Sequence, residues 1–159
     1  KMHYAFSYAM QAALIGIDLL TGEVHVLKVI SAADVGRAIN PLATQGQIEG
    51  GIIMAMGNAL SESYIVENGV PWSTLLSRYK MPGIKQTPEI VSYIVEHRTA
   101  DGPYGAKGVG QPPTSPPAPA IANAIYNSIG VRIHGAPMTR DKVLPAIAQR
   151  KRGWRMRRR

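Results

Sequence analysis

The sequence predicts an α+β fold, with mixed sheet elements and helices packed against them. Three observations point there. An apolar run and an alternating run flank Thr21-Gly22, a separate stretch rich in β-branched residues covers 89–98, and three segments read as helices. No internal repeat is visible, so a repeat array is not expected.

Residues 12–19 are apolar, Thr21-Gly22 is a turn signal, and residues 23–30 alternate around Val24, Val26 and Lys28, which together predict a hairpin. Residues 33–41 then read as an irregular loop, because the Asn40-Pro41 step disfavours helix at Asn40. From 43 to 66, Ile48, Ile52, Met56, Ala59, Leu60 and Tyr64 predict a helix, ended by Asn68-Gly69. Its glycines are anomalous: Gly46, Gly50, Gly51 and Gly57 each cost about 1 kcal/mol against Ala in a helix interior. Such a helix must be held by packing. Small residues on one face suit either tight helix packing or close approach by another backbone or a ligand.

Residues 71–88 read as irregular, and 89–98 as a strand through Ile90, Val91, Tyr93, Ile94 and Val95. A loop follows over 99–119, first glycine-rich and then proline-rich. Residues 120–129 are expected to be helical up to Gly130. Residues 139–147 form the last amphipathic helix, with Thr139 as its cap and Asp141 in its first turn.

The chain has 159 residues, enough for one core, and only 18% are charged, against roughly 25% in a typical soluble domain. Large areas of its surface are therefore expected to be covered by something else. The net charge of +8 raises a nucleic-acid partner, but its distribution argues against one. Seven of the 18 basic residues fall at 150–159, leaving 11 basic against 10 acidic residues in the body. Residues 1–148 are expected to form one domain and 149–159 a solvated basic tail without regular structure. No stretch approaches the roughly 20 apolar residues of a membrane span. Nor does the start resemble a secretory leader, so a cytoplasmic location is expected.

Without cysteine the chain has neither a disulfide framework nor thiolate ligands for a metal or an iron-sulfur cluster. His3, His25, His97 and His134 are scattered without zinc-site spacing, so no metal ligand is assigned. The run Gly105-Ala106-Lys107-Gly108-Val109-Gly110 could turn several backbone N–H groups toward an anion. It matches neither dinucleotide nor P-loop spacing and leads into prolines, so a ligand loop and a structural turn both stay open.

Several motifs in order carry a stronger signal: 34–41 (DVGRAINP), 46–51 (GQIEGG), 79–82 (YKMP), Tyr104 through Gln111-Pro112-Pro113, 118–125 (APAIANAI) and Pro137-Met138-Thr139. Together they resemble the C-terminal region of the large subunit of the xanthine dehydrogenase and aldehyde oxidase family, over nearly the whole chain up to about Ala148. The resemblance implies one half of a molybdopterin-binding region, within an oxidoreductase that hydroxylates aldehydes or N-heterocycles such as purines. It implies that the other half of that region lies elsewhere in the large subunit. Iron-sulfur and FAD centres would sit on other domains or subunits, and the isolated fragment would be inactive.

By the same resemblance Gly46, Gln47 and Gly50 approach the pterin, with Gln47 as the polar contact, and Lys107, Gly108, Val109 and Gly110 pass beside the molybdenum. The next position carries the family's general-base Glu; here it is Gln111. An amide does not accept a proton near neutral pH, although it still makes hydrogen bonds. That departure also admits a non-catalytic structural subunit of the same family. The other alternative is a small basic nucleic-acid-binding module resting on the tail.

Overall fold

A computed structural model describes residues 5–156, with backbone alone for 151–156. The architecture is α+β, with one three-stranded mixed sheet and helices packed on one of its faces. Strand β1 (Ala9–Ile17) pairs antiparallel with β2 (Val24–Asp34), the expected hairpin. Its turn is tied by Asp18, whose Oδ1 accepts the Leu20 N–H at 2.8 Å. A register shift at Leu14/Ile15 bends the pair.

Helix α1 (Pro41–Leu60) starts earlier than expected, at the very dipeptide that argued for a loop. Asn40 is extended and its side chain accepts the Ala43 N–H at 3.0 Å, while Pro41 occupies the first turn, where its missing N–H is no loss. The helix also ends earlier, at Leu60, and Asn68-Gly69 does not terminate it. Both residues have positive φ, 51° and 80°, and make the tight turn between two short strands, β3 (Val66–Glu67) and β4 (Val70–Pro71). Tyr64 continues the helical spacing by coincidence. The segment expected to be irregular holds a single turn of helix, α2 (Leu76–Tyr79), and a 3-10 turn at Ile84–Gln86.

Strand β5 (Glu89–Val95) then joins the far side of β2 in parallel. A parallel neighbour cannot be reached by a tight turn, and α1 together with the segment after it makes that crossover. Two 3-10 turns, Pro103–Gly105 and Pro112–Thr114, break up the long loop. Helix α3 (Pro117–Ile129) closes on Gly130 in the left-handed region, whose N–H bonds to the Tyr126 carbonyl at 2.7 Å. Helix α4 (Arg140–Met156) is last. Its backbone runs through most of the region expected to be an irregular tail; the side chains of 151–156 and residues 157–159 lie outside the described residues.

The core lies between sheet and helices, built from Val26, Val29 and Ala33 of β2, Ile48, Ile52, Met56 and Ala59 of α1, Ile121, Ile125 and Ile129 of α3, and Val143 and Ile147 of α4. Each helix contributes one stripe at three- and four-residue spacing, which is how the periodicity becomes packing. The opposite face of the sheet has little cover among the described residues. Met10, Leu14, Ile30 and Tyr93 stand exposed there, Met10 by 77% and Tyr93 by 58%, with Phe6 and Tyr8 continuing the alternation before β1. No helix among the described residues is long and apolar enough to cross a membrane.

Candidate functional site

The sequence singled out two segments, 46–50 in α1 and 107–111 in the long loop, and the fold brings them onto neighbouring elements. Helix α1 packs against the Pro112–Thr114 turn. The contact is tight at Gly51: a Cβ added there would meet Thr114 Cγ2 at 3.1 Å and Pro113 Cβ at 3.3 Å. Gly51 thus serves packing within the chain. Gly46 and Gly50 differ, since a Cβ at either would have nothing within 4 Å. Together with exposed Gln47 they form an open face of α1 free of bulk.

Because α1 begins at Pro41, these residues lie a full turn inside the helix, and their N–H groups are taken by helical hydrogen bonds. What this face offers a ligand is the Gln47 side-chain amide, donor and acceptor both, beside two residues without side chains.

The loop arrives beside α1 as an arch held at both feet. At one foot, the Lys107 N–H donates to the Val35 carbonyl at 2.9 Å and the Arg37 N–H to the Gly105 carbonyl at 2.9 Å. Gly36 has φ +63°, and a Cβ there would collide with the Gly105 carbonyl, so only glycine lets the loop lie on the end of β2. At the other foot, Gln11 of β1 donates from Nε2 to the Pro113 carbonyl at 2.9 Å and to Ser31 Oγ at 3.1 Å. Gln11 Oε1 is a buried side-chain oxygen without a partner, the single such atom among the described residues.

Between the feet, the Gly108 carbonyl accepts from Ser7 Oγ at 3.0 Å, and Val109 packs against the core. Gly108, Gly110 and Gln111 are exposed, and Cβ atoms added at the two glycines would meet nothing within 4 Å. Gln111 is held through its backbone, whose carbonyl accepts from Thr114 N–H at 2.9 Å and from Thr114 Oγ1 at 2.7 Å.

Lys107 departs from the rest. Its Nζ lies 2.6 Å from Asp34 Oδ2, with the two side chains only 5% and 10% exposed. Asp34 Oδ1 also accepts N–H groups from Gly36 at 3.0 Å and His97 at 3.4 Å. Burial raises the Asp34 pKa, but the Lys107 hydrogen bond, the Gly36 N–H and the Lys107 charge outweigh it and hold the carboxyl below the ordinary carboxylate value. The roles of Asp34, Gln11 and Ser31 are not readable from the sequence. A polar residue in an otherwise apolar strand is the one local signal they carry, and it does not name a partner.

A separate cleft of about 720 Å³ opens between the start of β2, the end of α1 and the start of α4, with Glu23, Met56, Lys80 and Arg140 in its wall. None of the residues expected to approach the cofactor, Gly46, Gln47, Gly50 and 107–111, lines it. Among the described residues no cluster of His, Asp and Glu could hold a metal ion.

Comparison with known proteins adds the following. The family described as "Molybdopterin cofactor-binding domain" matches residues 1–88. The chain is 39% identical to the aldehyde oxidoreductase of Megalodesulfovibrio gigas over 148 residues, 92% of this chain and 16% of that protein. It is 36% identical to the xanthine dehydrogenase molybdenum-binding subunit of Escherichia coli O157:H7 over 125 residues, 77% of this chain and 17% of that subunit. Among solved structures, the aldehyde oxidoreductase from Desulfovibrio gigas superposes with a TM-score of 0.81 at 39% identity, covering 89% of this chain and 15% of that one. Quinoline 2-oxidoreductase from Pseudomonas putida 86 gives 0.81 at 29% identity, over 87% of this chain and 18% of that one. The chain thus spans less than a fifth of the length of these relatives.

Proposed function

This chain belongs to the molybdopterin cofactor-binding domain family, among relatives of the xanthine dehydrogenase and aldehyde oxidase type, and from that premise we propose that it forms one wall of the cofactor site of a molybdenum hydroxylase. The observation that carries the reading is the packing of Gly51 on Pro113 and Thr114, which sets the open face of α1 beside the exposed arch. Both surfaces suit the group. Neutral amides and glycine clearance accommodate a flat, anionic heterocycle without a charged ligand from the chain. When bound, the molybdenum cofactor supplies two-electron redox chemistry.

In this reading residues 1–148 are the domain. Gln47 hydrogen-bonds the pterin through its side-chain amide, and Gly46 and Gly50 leave room for the ring. Lys107, Gly108, Val109 and Gly110 form the segment that passes the metal centre. Gln111 stands where the family places its general-base Glu and would orient a reactant by hydrogen bonds rather than remove its proton. The remaining half of the large subunit would complete the site, with iron-sulfur and flavin centres on other domains or subunits. An aldehyde or N-heterocycle would be the substrate, in the cytoplasm. The uncovered apolar face of the sheet supports a large partner surface.

Replacing Gln47 by Leu in the complete enzyme tests the reading. The molybdenum-to-protein ratio should fall while thermal unfolding stays near native, because Gln47 is exposed on the helix surface. Full molybdenum content in that variant would remove Gln47 from the site. A second reading, a structural subunit that binds the cofactor without hydroxylating, is favoured by Gln111 alone.

A further inference from the structure

The arch that carries Gly108 to Gln111 starts one residue after Lys107, and the side chain of Lys107 points away from the exposed segment into a buried carboxylate. We propose that Lys107 is a positioning residue, whose ammonium acts on the cofactor loop through Asp34 and does not itself touch the cofactor. The proposal rests on the reading that this loop lines the cofactor site.

The single carboxylate of Asp34 ties three segments together. Oδ1 holds the Gly36 N–H just beyond β2 and the His97 N–H just beyond β5, and Oδ2 holds the ammonium of the loop. The partners lie 73 residues apart in sequence, so the pair is a tertiary clamp. A cation that is 5% exposed cannot reach an outside anion without leaving its carboxylate uncompensated, and an unpaired buried charge is strongly unfavourable. The Tyr8 ring, with its centroid 5.9 Å from Nζ, adds a second attraction in place. The backbone bonds of Lys107 and Gly105 to Val35 and Arg37 set the same foot of the arch, so the clamp fixes where Gly108 emerges.

The test uses the complete enzyme with two readouts, the molybdenum-to-protein ratio and amide exchange across residues 105–110, for Lys107→Met, Asp34→Asn and the double variant. In the double variant the amide introduced at position 34 keeps an oxygen for the Gly36 and His97 N–H groups, and the thioether introduced at position 107 fills the space of the lysine stem. Each single variant should lose molybdenum and speed exchange. The double variant should recover both, to at least roughly half of the native ratio, because removing both charges of a buried pair is far milder than removing one.

A direct ammonium contact gives the opposite pattern. Asp34→Asn then keeps its molybdenum, and the double variant stays as empty as Lys107→Met; either result overturns the proposal. Should Lys107→Met fail to assemble, the double variant still decides, since assembly near the native ratio supports the clamp and an empty or unassembled double variant defeats it. Gly108→Val and Gly110→Val check the underlying reading separately. Native molybdenum content in both would mean that the loop does not line the site, whatever Lys107 does.

Discussion

Gly51 and Thr114 are in such close contact that a methyl group at Gly51 would lie 3.1 Å from Thr114 Cγ2, while Gly50, one position earlier, faces open space. Adjacent glycines of one motif thus have different surroundings. Gly51→Val should destabilise the complete subunit by about 1–3 kcal/mol, the usual cost of overpacking. Gly50→Val should leave thermal unfolding near native, since Val is no worse than Gly in a helix, but lower molybdenum content by crowding the open face. Equal losses of stability in the two variants would count against this division.

Acid should release the clamp at Asp34. Its folded pKa lies below the unfolded value, so its contribution to stability is fully present above the ordinary carboxylate value and is lost as pH falls through the lower folded value. In Lys107→Met the burial remains while the compensating hydrogen bond and charge are gone, so the carboxyl pKa should rise. The acid transition, followed by amide exchange at 105–110, should then move to higher pH than in the native protein. An unmoved transition would show that Asp34 does not govern the loop.

The uncovered sheet face predicts behaviour in isolation. Met10, Leu14 and Tyr93 are exposed on strands whose other face is packed. Changing all three to Thr, which suits strands, should reduce self-association of the chain expressed alone, as seen by light scattering. In the complete enzyme the same changes should weaken assembly with the rest of the large subunit. Undiminished assembly would place the partner elsewhere.

Gln111→Glu addresses the chemistry. General-base catalysis contributes about 10²–10⁴-fold, so in the complete enzyme with measured molybdenum content the substitution should raise hydroxylation by that order and add the pH dependence of a carboxylate. Gln111 is exposed in this chain and held through its backbone, so the change should leave the arch in place. Unchanged turnover at full loading would mean that this position does not act on the substrate. A native enzyme already turning over at the rate of Glu-bearing relatives would leave no deficit to repair.

Much of the fold was legible because it is local. An apolar run, an alternating run and the turn between them gave the hairpin, β-branched enrichment gave β5, and the stop at Gly130 gave the end of α3. Dipeptides misled where one signal serves two structures. Asn40-Pro41 excludes helix at Asn40 and starts one at Pro41, and Asn68-Gly69 ends helices as readily as it turns hairpins. The parallel pairing of β2 with β5 left no local mark.

The candidates Gly46, Gln47, Gly50 and Gln111 are picked out by ordered motifs. The different surroundings of Gly50 and Gly51, the Asp34–Lys107 pair and the Gln11 anchor on Pro113 depend on contacts between distant segments, which no single window of sequence contains.

The parallel seam also sets when the site can come into being. β2 ends at Asp34 and β5 begins at Glu89, with Ala32 opposite Tyr93 and Asp34 opposite Val95. A slip of one residue would turn Ile90 and Ile94 outward and carry the loop out of reach of Asp34 and Gly51. The Asp34 foot of the arch, which also holds the His97 N–H, therefore depends on β5 docking in register. Closing so long a loop before its contacts form is slow. A site built across this seam is expected to form late in folding, after the apolar strands have been made.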